Sequence, residues 1–283
     1  MIRLKQKAIL AALGKYKFLT RRQIARLGIE SYQSALSKHC LPLVDAEWIG
    51  LMDATTYGIG HVYYLKSKGA IWLAKEAGVD PKEIHFCISK PKLTSQTLYH
   101  RTGAIDCQIE LFLSCQAKGI NIVFYDRDIE VIGKLNSKGA LVRKTRILLP
   151  GSGSIEPDAI FMLDTPEGKK LYCLEFENED YTKKSYIKVE NHIRALNIKS
   201  PSAKYKHPKA HRTLFVYKNP STMKAIMERI SENISGIGSW FLFKTYDEVS
   251  NPWNGHNKPS SPPESKDFFV DWRSVNEGMK TLY

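Results

Sequence analysis

Residues 155–177, IEPDAIFMLDTPEGKKLYCLEFE, are the stretch of sequence that decides the fold. Residues 155–163 and 169–177 are rich in aliphatic and aromatic side chains, which are typical of β-strands. Between them, Thr165-Pro-Glu-Gly168 carries proline at the second and glycine at the fourth position of a β-turn. A turn of four residues makes Thr165 face Gly168, so the sequence predicts an antiparallel hairpin.

The predicted hairpin gathers acidic side chains on one of its faces. In this register Asp158 lies opposite Glu175, and Glu156 lies opposite Glu177. Side chains two residues apart along a strand share a face, so all four carboxylates are expected on the same side. Like charges opposite each other destabilise a sheet, and a divalent cation removes that cost. We therefore predict a Mg²⁺ or Mn²⁺ site formed by Asp158, Glu175 and Glu177, with Glu156 as a further candidate.

Two alternatives stay open for this acidic stretch. A turn of this type forces apart the two strands of a hairpin that has a two-residue loop, so the predicted pairing is not the only one available. A register slip of one residue would place the acids on both faces of the hairpin. The acids, eight among residues 156–180 against two lysines, would then form a solvated loop. The chain as a whole has a net charge of +13. A concentrated acidic site within a basic protein favours a metal-dependent enzyme that acts on nucleic acid.

The segment after the hairpin, residues 183–197, is predicted to form a helix that packs on the sheet through apolar residues at helical spacing. Lys188 and His192 lie one turn apart beside this apolar stripe. Lys188 can reach the acidic face, where a lysine helps to activate water and to stabilise charge on a phosphodiester. Lys188 is therefore a candidate catalytic residue together with the three acids. The alternative is an ordinary exposed lysine.

Residues 1–85 are predicted to form a winged helix-turn-helix DNA-binding domain. Thr20 and Gln23 have the spacing of a capping box, which opens the second helix. Pro42 is expected to end the third helix near Leu41, because proline does not continue a helix. Two strands are predicted at residues 48–52 and 61–65, with a wing loop between them at residues 55–60. A closing helix is predicted at residues 67–77.

In such a domain the third helix enters the major groove of double-stranded DNA, and the wing contacts the backbone. Arg21 and Arg22, at the start of the second helix, suit phosphate contacts. The predicted contacts of the third helix and the wing are Tyr32, Gln33, Ser34, Ser37, Lys38, Tyr57 and His61. The alternative is a helix-turn-helix that serves only protein contacts.

Composition and periodicity divide the rest of the chain. We expect a linker at residues 86–94, a second α/β domain at residues 95–248 that begins with a long amphipathic helix, and an irregular C-terminal tail at residues 249–283. Asp106 and Glu110 lie one turn apart on the long helix and are expected on a solvated face.

The composition excludes several classes of protein. A hydrophobic content of 43% is enough to build a core, which excludes disorder for most of the chain. Five scattered cysteines without a Cys-x-x-Cys pair argue against a disulfide scaffold and a zinc knuckle. No apolar run is long enough to span a bilayer. We therefore expect a cytoplasmic protein without a membrane segment.

The order of these features resembles a known family. Pro157-Asp158, followed after sixteen intervening residues by Glu175-Phe-Glu177, is similar to the core motif of the PD-(D/E)xK nucleases. The usual third residue of that motif is lysine, and here it is Glu177, as in a minority of restriction endonucleases. The predicted winged helix before the hairpin and Lys188 in the helix after it resemble the plasmid replication-relaxation family. That family includes mobilization relaxases of the MobC type.

The resemblance implies a fold, a cofactor and an activity. The implied fold is α/β (α+β), with the winged helix-turn-helix followed by a PD-(D/E)xK nuclease-like mixed sheet flanked by helices. Asp158, Glu175 and Glu177 would bind Mg²⁺ or Mn²⁺, and Lys188 would be the migrated lysine. The implied activity is that of a DNA relaxase, an endonuclease that nicks a plasmid transfer origin during conjugative mobilization. An accessory mobilization protein or a coupling protein would be a further partner.

A second interpretation of the same features is a protein without catalysis. The chain would then be a winged-helix DNA-binding regulator of replication or transcription with a degenerate nuclease fold. Metal dependence discriminates between the two, because only the enzyme needs an ion at the acidic face.

Overall fold

The computed structural model describes residues 2–30, 33–84, 86–87, 91, 93–134, 141–151, 153–234, 236, 240–250, 266–275 and 278–282. Over these residues the protein is a mixed α/β chain with one large mixed sheet. The chain divides into two compact units, one that extends to Ile109 and one that begins at Glu110. No helix in the described part of the chain combines the length and apolar character needed to cross a membrane.

The first unit is built from short helices and a small antiparallel sheet. Its elements are α1 (Leu4–Tyr16), β1 (Phe18–Thr20), α2 (Arg21–Arg26), α3 (Gln33–Asp45), β2 (Ile49–Ala54), β3 (Gly60–Leu65) and α4 (Ser67–Ala77). The sheet has the order β1-β3-β2. Helix α1 contacts α3, α4 and β3, and it buries Ile9, Leu10 and Leu13 completely.

Two local sequence signals in this unit, a capping box and a proline, can be compared directly with the structure. The Thr20 hydroxyl accepts a hydrogen bond from the Gln23 backbone amide at 3.1 Å, and the Gln23 side chain accepts one from the Thr20 amide at 2.9 Å. The capping box is therefore confirmed. The prediction that Pro42 ends the third helix near Leu41 is wrong, because α3 continues to Asp45. Proline lacks an amide donor and crowds the preceding turn, but hydrogen bonding continues after it, where the Pro42 carbonyl accepts from the Ala46 amide.

Helix α5 (Ser95–Lys118) is the predicted long helix, and its first half belongs to the first unit. A buried ion pair joins Arg26 of α2 to Asp106 of α5 at 2.6 Å. The Gln23 side-chain amide donates to the Thr102 carbonyl at 2.9 Å. These contacts extend the unit beyond residue 85. The prediction of a solvated face is wrong for Asp106 and for the completely buried Glu110. Of the expected linker, residues 88–90 and 92 lie outside the described residues.

The second unit holds the second half of α5 and the remaining elements. These are β4 (Asn121–Arg127), β5 (Val131–Lys134), β6 (Leu141–Arg143), β7 (Ile147–Leu148), β8 (Ser154–Ile155), β9 (Ala159–Thr165), β10 (Gly168–Glu177), α6 (Thr182–Asn197), α7 (Ser200–Lys204), β11 (Arg212–Tyr217), α8 (Pro220–Asn233), β12 (Phe241–Thr245), α9 (Tyr246–Val249), β13 (Trp272–Ser274) and β14 (Gly278–Lys280).

The large sheet has the strand order β14-β13-β12-β11-β10-β9-β4. Strands β10, β11 and β12 are parallel, and the other neighbours are antiparallel. Parallel neighbours need crossover connections, and α6 and α8 provide them. Val189 of α6 and Ile226 of α8 pack with Phe215 and Phe243 of the sheet. The two helices therefore cover one face of the sheet.

The face covered by α6 is the face that carries the acids. Cys173 of β10 packs in one cluster with Ala195 of α6. Because alternate residues of a strand share a face, Glu175 and Glu177 project to the same side as Cys173. The sheet therefore places these acids beneath α6.

The prediction of an irregular tail is wrong for residues 272–274 and 278–280, which form strands. Strands β13 and β14 extend the large sheet beyond β12. Trp272 of β13 is completely buried, and its indole donates to the Phe268 carbonyl at 2.6 Å. Asparagine and proline predict loops locally, whereas the pairing of these short strands depends on β12, which is distant in sequence. Residues 251–265 lie outside the described residues.

Candidate active site

The hairpin that was predicted from the sequence has the predicted register. Thr165 pairs with Gly168, and the pairing continues to Ala159 and Leu174. One residue further, the Asp158 carboxylate accepts a hydrogen bond from the Phe176 backbone amide at 2.7 Å. The slipped register is therefore excluded, and Asp158 is fixed against β10.

Three acids and one lysine meet at this end of the hairpin. Glu175, Asp158 and Glu177 are 1%, 7% and 8% exposed. The Lys188 ammonium of α6 donates to a Glu175 carboxylate oxygen at 3.0 Å and to a Glu177 carboxylate oxygen. The structure thus brings the four predicted catalytic residues into one group. Lys188 is 36% exposed but is paired with two buried carboxylates, so it is not the ordinary exposed lysine of the alternative.

The charges of this group do not balance. The carboxylates of Glu175 and Glu177 face the one ammonium of Lys188, which leaves an excess of one negative charge among these three groups if all are ionised. Burial raises the pKa of Glu177, and the charges of Glu175 and Asp158 add to the rise against the opposing effect of Lys188. Burial would lower the pKa of Lys188, but the three carboxylates raise it well above its usual value. Lys188 therefore stays protonated, and the ionised form of Glu177 is less favourable than in an exposed glutamate.

A histidine holds the central acid from the other side. His192 lies one turn after Lys188 on α6, and its Nε2 is 2.7 Å from the second carboxylate oxygen of Glu175. The His192 ring is completely buried and packs edge-on against Phe215. Both oxygens of Glu175 thus have partners, and its carboxylate is fixed in orientation.

Glu156 does not join this group. Strand β9 begins only at Ala159, and residues 154–155 pair with β7 instead. The Glu156 carboxylate lies 3.5 Å from Arg143 and 3.5 Å from Arg146. The predicted pairing of Glu156 with Glu177 is therefore wrong, because the chain leaves the strand before it reaches Glu156.

A cleft gives access to part of the group. It has a volume of about 320 Å³, and Glu175, Lys188 and His192 line it together with Lys184 and Asn191. Its wall holds two lysines, which complement the charge of a phosphate, and two acids, Glu156 and Glu175, which complement a cation. The acids are thus buried but reachable by a ligand at Glu175 and Lys188.

The predicted nucleic-acid contacts lie in the first unit, apart from this group in the chain. The Arg21 guanidinium donates to the Tyr63 hydroxyl at 3.1 Å, and Arg22 is half-buried. On α3, Lys38 is exposed and Ser37 half-buried, and Tyr57 in the turn after β2 is 45% exposed. The remaining predicted contacts are His61, which is half-buried on β3, Gln33 and Ser34, whose backbone is in α3, and Tyr32, which lies outside the described residues.

Sequence reasoning gave no role to two residues beside the acids. Cys173 and His211 are completely buried, and each offers a donor atom close to His192. Cys173 precedes Glu175 by two residues, so alternation along the strand already places it on the acidic face. No comparable signal exists for His211, because its position depends on the pairing of β11 with β10.

Comparisons with known proteins found no relative of this chain. No protein-family model, curated protein or solved structure matches the chain.

Proposed function

We propose that the chain is a metal-dependent DNA endonuclease, with Asp158, Glu175 and Glu177 as metal ligands and Lys188 as a catalytic cation. The observation that carries the proposal is a group of three buried carboxylates, two of which, Glu175 and Glu177, pair with Lys188, while Asp158 interacts with it electrostatically. Buried charges are unfavourable unless they are paired or coordinate a metal ion. The excess of negative charge therefore fits a divalent cation, and the all-oxygen donor set of these acids fits Mg²⁺ or Mn²⁺.

The residues of the chain have separate roles in this mechanism. A bound divalent cation would supply a water of lowered pKa and neutralise charge on the phosphodiester. The Phe176 amide fixes Asp158, and His192 fixes Glu175, so two of the ligands are preorganised. Lys188 keeps its proton because its pKa is raised, and it therefore acts as a hydrogen-bond donor to the phosphate and not as a base.

DNA recognition is proposed for the first unit, as a winged helix-turn-helix. Arg21 and Arg22 would contact phosphates, and Ser37 and Lys38 would lie towards the major groove. The net charge of +13 supports a polyanionic partner. The resemblance of the motif order supports a double-stranded plasmid transfer origin as the substrate, and nicking during conjugative mobilization as the role.

A second function is favoured by the hydrogen bonds of the acids. Lys188 and His192 already satisfy both oxygens of Glu175 without any ion. Because Glu175 needs no ion to complete its hydrogen bonds, the group also suits a DNA-binding regulator in which the nuclease-like arrangement only stabilises the fold. Such a protein would bind DNA equally well with and without metal.

A nicking assay on supercoiled plasmid that carries a transfer origin tests the proposal. The full chain is incubated with Mn²⁺ or Mg²⁺, and DNA binding is measured in parallel by gel shift in EDTA. The wild type should nick only with metal, and Asp158→Asn should bind DNA normally without nicking. Asp164→Asn is the matched control, because Asp164 lies on β9, the strand that directly follows Asp158, but is exposed. Nicking that survives Asp158→Asn would refute the proposed site, and binding without any nicking would favour the regulator.

A further inference from the structure

A thiol and two imidazoles meet in the interior of the second unit. Cys173 lies on β10, His192 on α6, and His211 immediately before β11, and all three are completely buried. One donor atom from each, the Cys173 sulfur and a ring nitrogen of each histidine, lies within 4.8 Å of the other two. Three elements that are far apart in sequence thus bring three metal-ligand side chains together.

His211 has no partner that would explain its burial. Both of its ring nitrogens are buried, and neither has a hydrogen bond to any described residue. A neutral imidazole carries one donor and one acceptor nitrogen, and buried polar groups are normally satisfied. Burial, with a contribution from His192, lowers the pKa of His211 to about 3, so the ring is neutral and has a free lone pair. A metal ion would use this lone pair.

The hydrogen bond of His192 matches the pattern of a ligand histidine. Its Nε2 is engaged with Glu175, which leaves Nδ1 for the cluster. The remaining contact of Nδ1 is a long one, 3.5 Å to the Thr213 hydroxyl. Histidines that bind a metal usually donate their other ring N–H to a carboxylate, which fixes the tautomer and the ring orientation. The His192–Glu175 pair has this arrangement.

We propose that Cys173, His192 and His211 bind one zinc ion. Thiolate and imidazole ligands select zinc and other soft or borderline ions, whereas Mg²⁺ and Mn²⁺ prefer oxygen. Three protein ligands, with a water as the fourth, suffice for zinc. On binding, the Cys173 thiol gives its proton to solvent, and the thiolate sulfur forms the bond to the metal. Cys173 belongs to a hydrophobic cluster with Ile160, Met162 and Ala195, so its sulfur lies in largely apolar surroundings.

The zinc site is separate from the carboxylate site but adjacent to it. A metal on Nδ1 of His192 would keep the ring proton on Nε2. The ring would then stay in one tautomer, and its Nε2–H would donate to Glu175. The ion would thus hold Glu175 in place through His192. The proposal does not rest on nuclease activity, because the cluster and the unpartnered His211 are present in either function.

Metal analysis of the purified full chain tests the proposal. After dialysis against a weak chelator, elemental analysis should find about one zinc ion per chain in the wild type. Cys173→Ser and His211→Asn should lose it. Cys115→Ser is the matched control, since Cys115 is a buried cysteine of the same unit outside the cluster. Asp158→Asn should keep its zinc, which separates this site from the carboxylates.

Substitution with Co²⁺ gives a second readout, and its result for the wild type does not depend on the stability of the variants. The wild type should show a thiolate-to-cobalt charge-transfer band, and Cys115→Ser should show the same band. The band should be absent from Cys173→Ser when circular dichroism shows that this variant is folded. A wild-type chain that takes up no zinc and gives no such band overturns the proposal, even if every variant unfolds. Zinc retained by folded Cys173→Ser and His211→Asn also overturns it.

Discussion

Removal of the negative charge of Glu177 is expected to stabilise the metal-free protein. Glu177 is 8% exposed, and burial together with Glu175 and Asp158 raises its pKa. Glutamine keeps the shape of the side chain and an oxygen that accepts from Lys188. Glu177→Gln should therefore have a higher free energy of unfolding than the wild type at neutral pH in EDTA.

The magnitude follows from the neighbours of Glu177. A like-charge pair within a sheet costs about 0.2–1 kcal/mol, and Glu177 has two such neighbours, which gives about 0.4–2 kcal/mol. Glu177→Gln also loses the attraction between the Glu177 carboxylate and Lys188, so the expected gain in stability lies towards the lower end of this range. A gain of 1 kcal/mol raises the melting temperature by about 2–4 °C in a protein of 150–250 residues.

The gain should depend on pH with a definite sign. Because the folded state raises the pKa of Glu177 above its unfolded value of 4.5, the folded wild type binds this proton more tightly than the unfolded chain. The contribution of this group to stability is therefore present at low pH and is lost as the pH rises through the folded pKa. Glu177→Gln should exceed the wild type above that pKa and match it below about pH 4.

Urea unfolding followed by circular dichroism between pH 4 and pH 7.5, in EDTA, measures this difference. Glu167→Gln is the control, because Glu167 is exposed in the turn, is paired with Lys170, and has a lowered pKa. It should show no gain at any pH. If Glu177→Gln is no more stable than the wild type at neutral pH, the reasoning from unbalanced buried charge is refuted.

Three further predictions concern other residues. Lys188→Met should lower metal-dependent nicking by about 100-fold or more without loss of DNA binding in a gel shift, and a wild-type rate would remove Lys188 from the site. Arg21→Ala with Arg22→Ala should weaken binding about equally on all DNA sequences and reduce the slope of log K against log salt by about 0.9 for each lost phosphate contact; an unchanged slope would exclude these arginines from the interface. Arg26→Met should cost about 3–5 kcal/mol in urea unfolding because it removes the guanidinium that faces the buried Asp106 carboxylate, and Arg26→Met with Asp106→Leu should recover most of that loss; a single variant as stable as the wild type would contradict the buried ion pair.

Parts of the fold that depend on neighbouring residues were predictable from the sequence. The turn at Thr165–Gly168 fixes the hairpin register, and the capping box of Thr20 and Gln23 fixes the start of α2. Apolar spacing predicts α6 and hence the side on which Lys188 lies. In each case the deciding contacts lie within a few residues of one another.

Features that depend on distant pairing were not predictable. Strands β13 and β14 are three residues each, too short for alternation to show, and they are ordered by the sheet edge at β12. The scattered spacing of the cysteines gave no sign that Cys173 lies beside His211, because parallel pairing of β10 and β11 brings those elements together. The spacing of the acids on α5 wrongly predicted a solvated face, because Asp106 pairs with Arg26, which lies eighty residues earlier in the chain.

Direct titration of the full chain with Mn²⁺, followed by electron paramagnetic resonance without DNA, tests whether the acids form a metal site. Free Mn²⁺ gives a strong signal that weakens on binding, so the number of sites is read without any need for activity. The wild type and Asp164→Asn should each bind Mn²⁺ at the site, and Asp158→Asn should lose this binding. Equal binding by wild type and Asp158→Asn, or no binding by wild type, would contradict a metal centre formed by Asp158, Glu175 and Glu177.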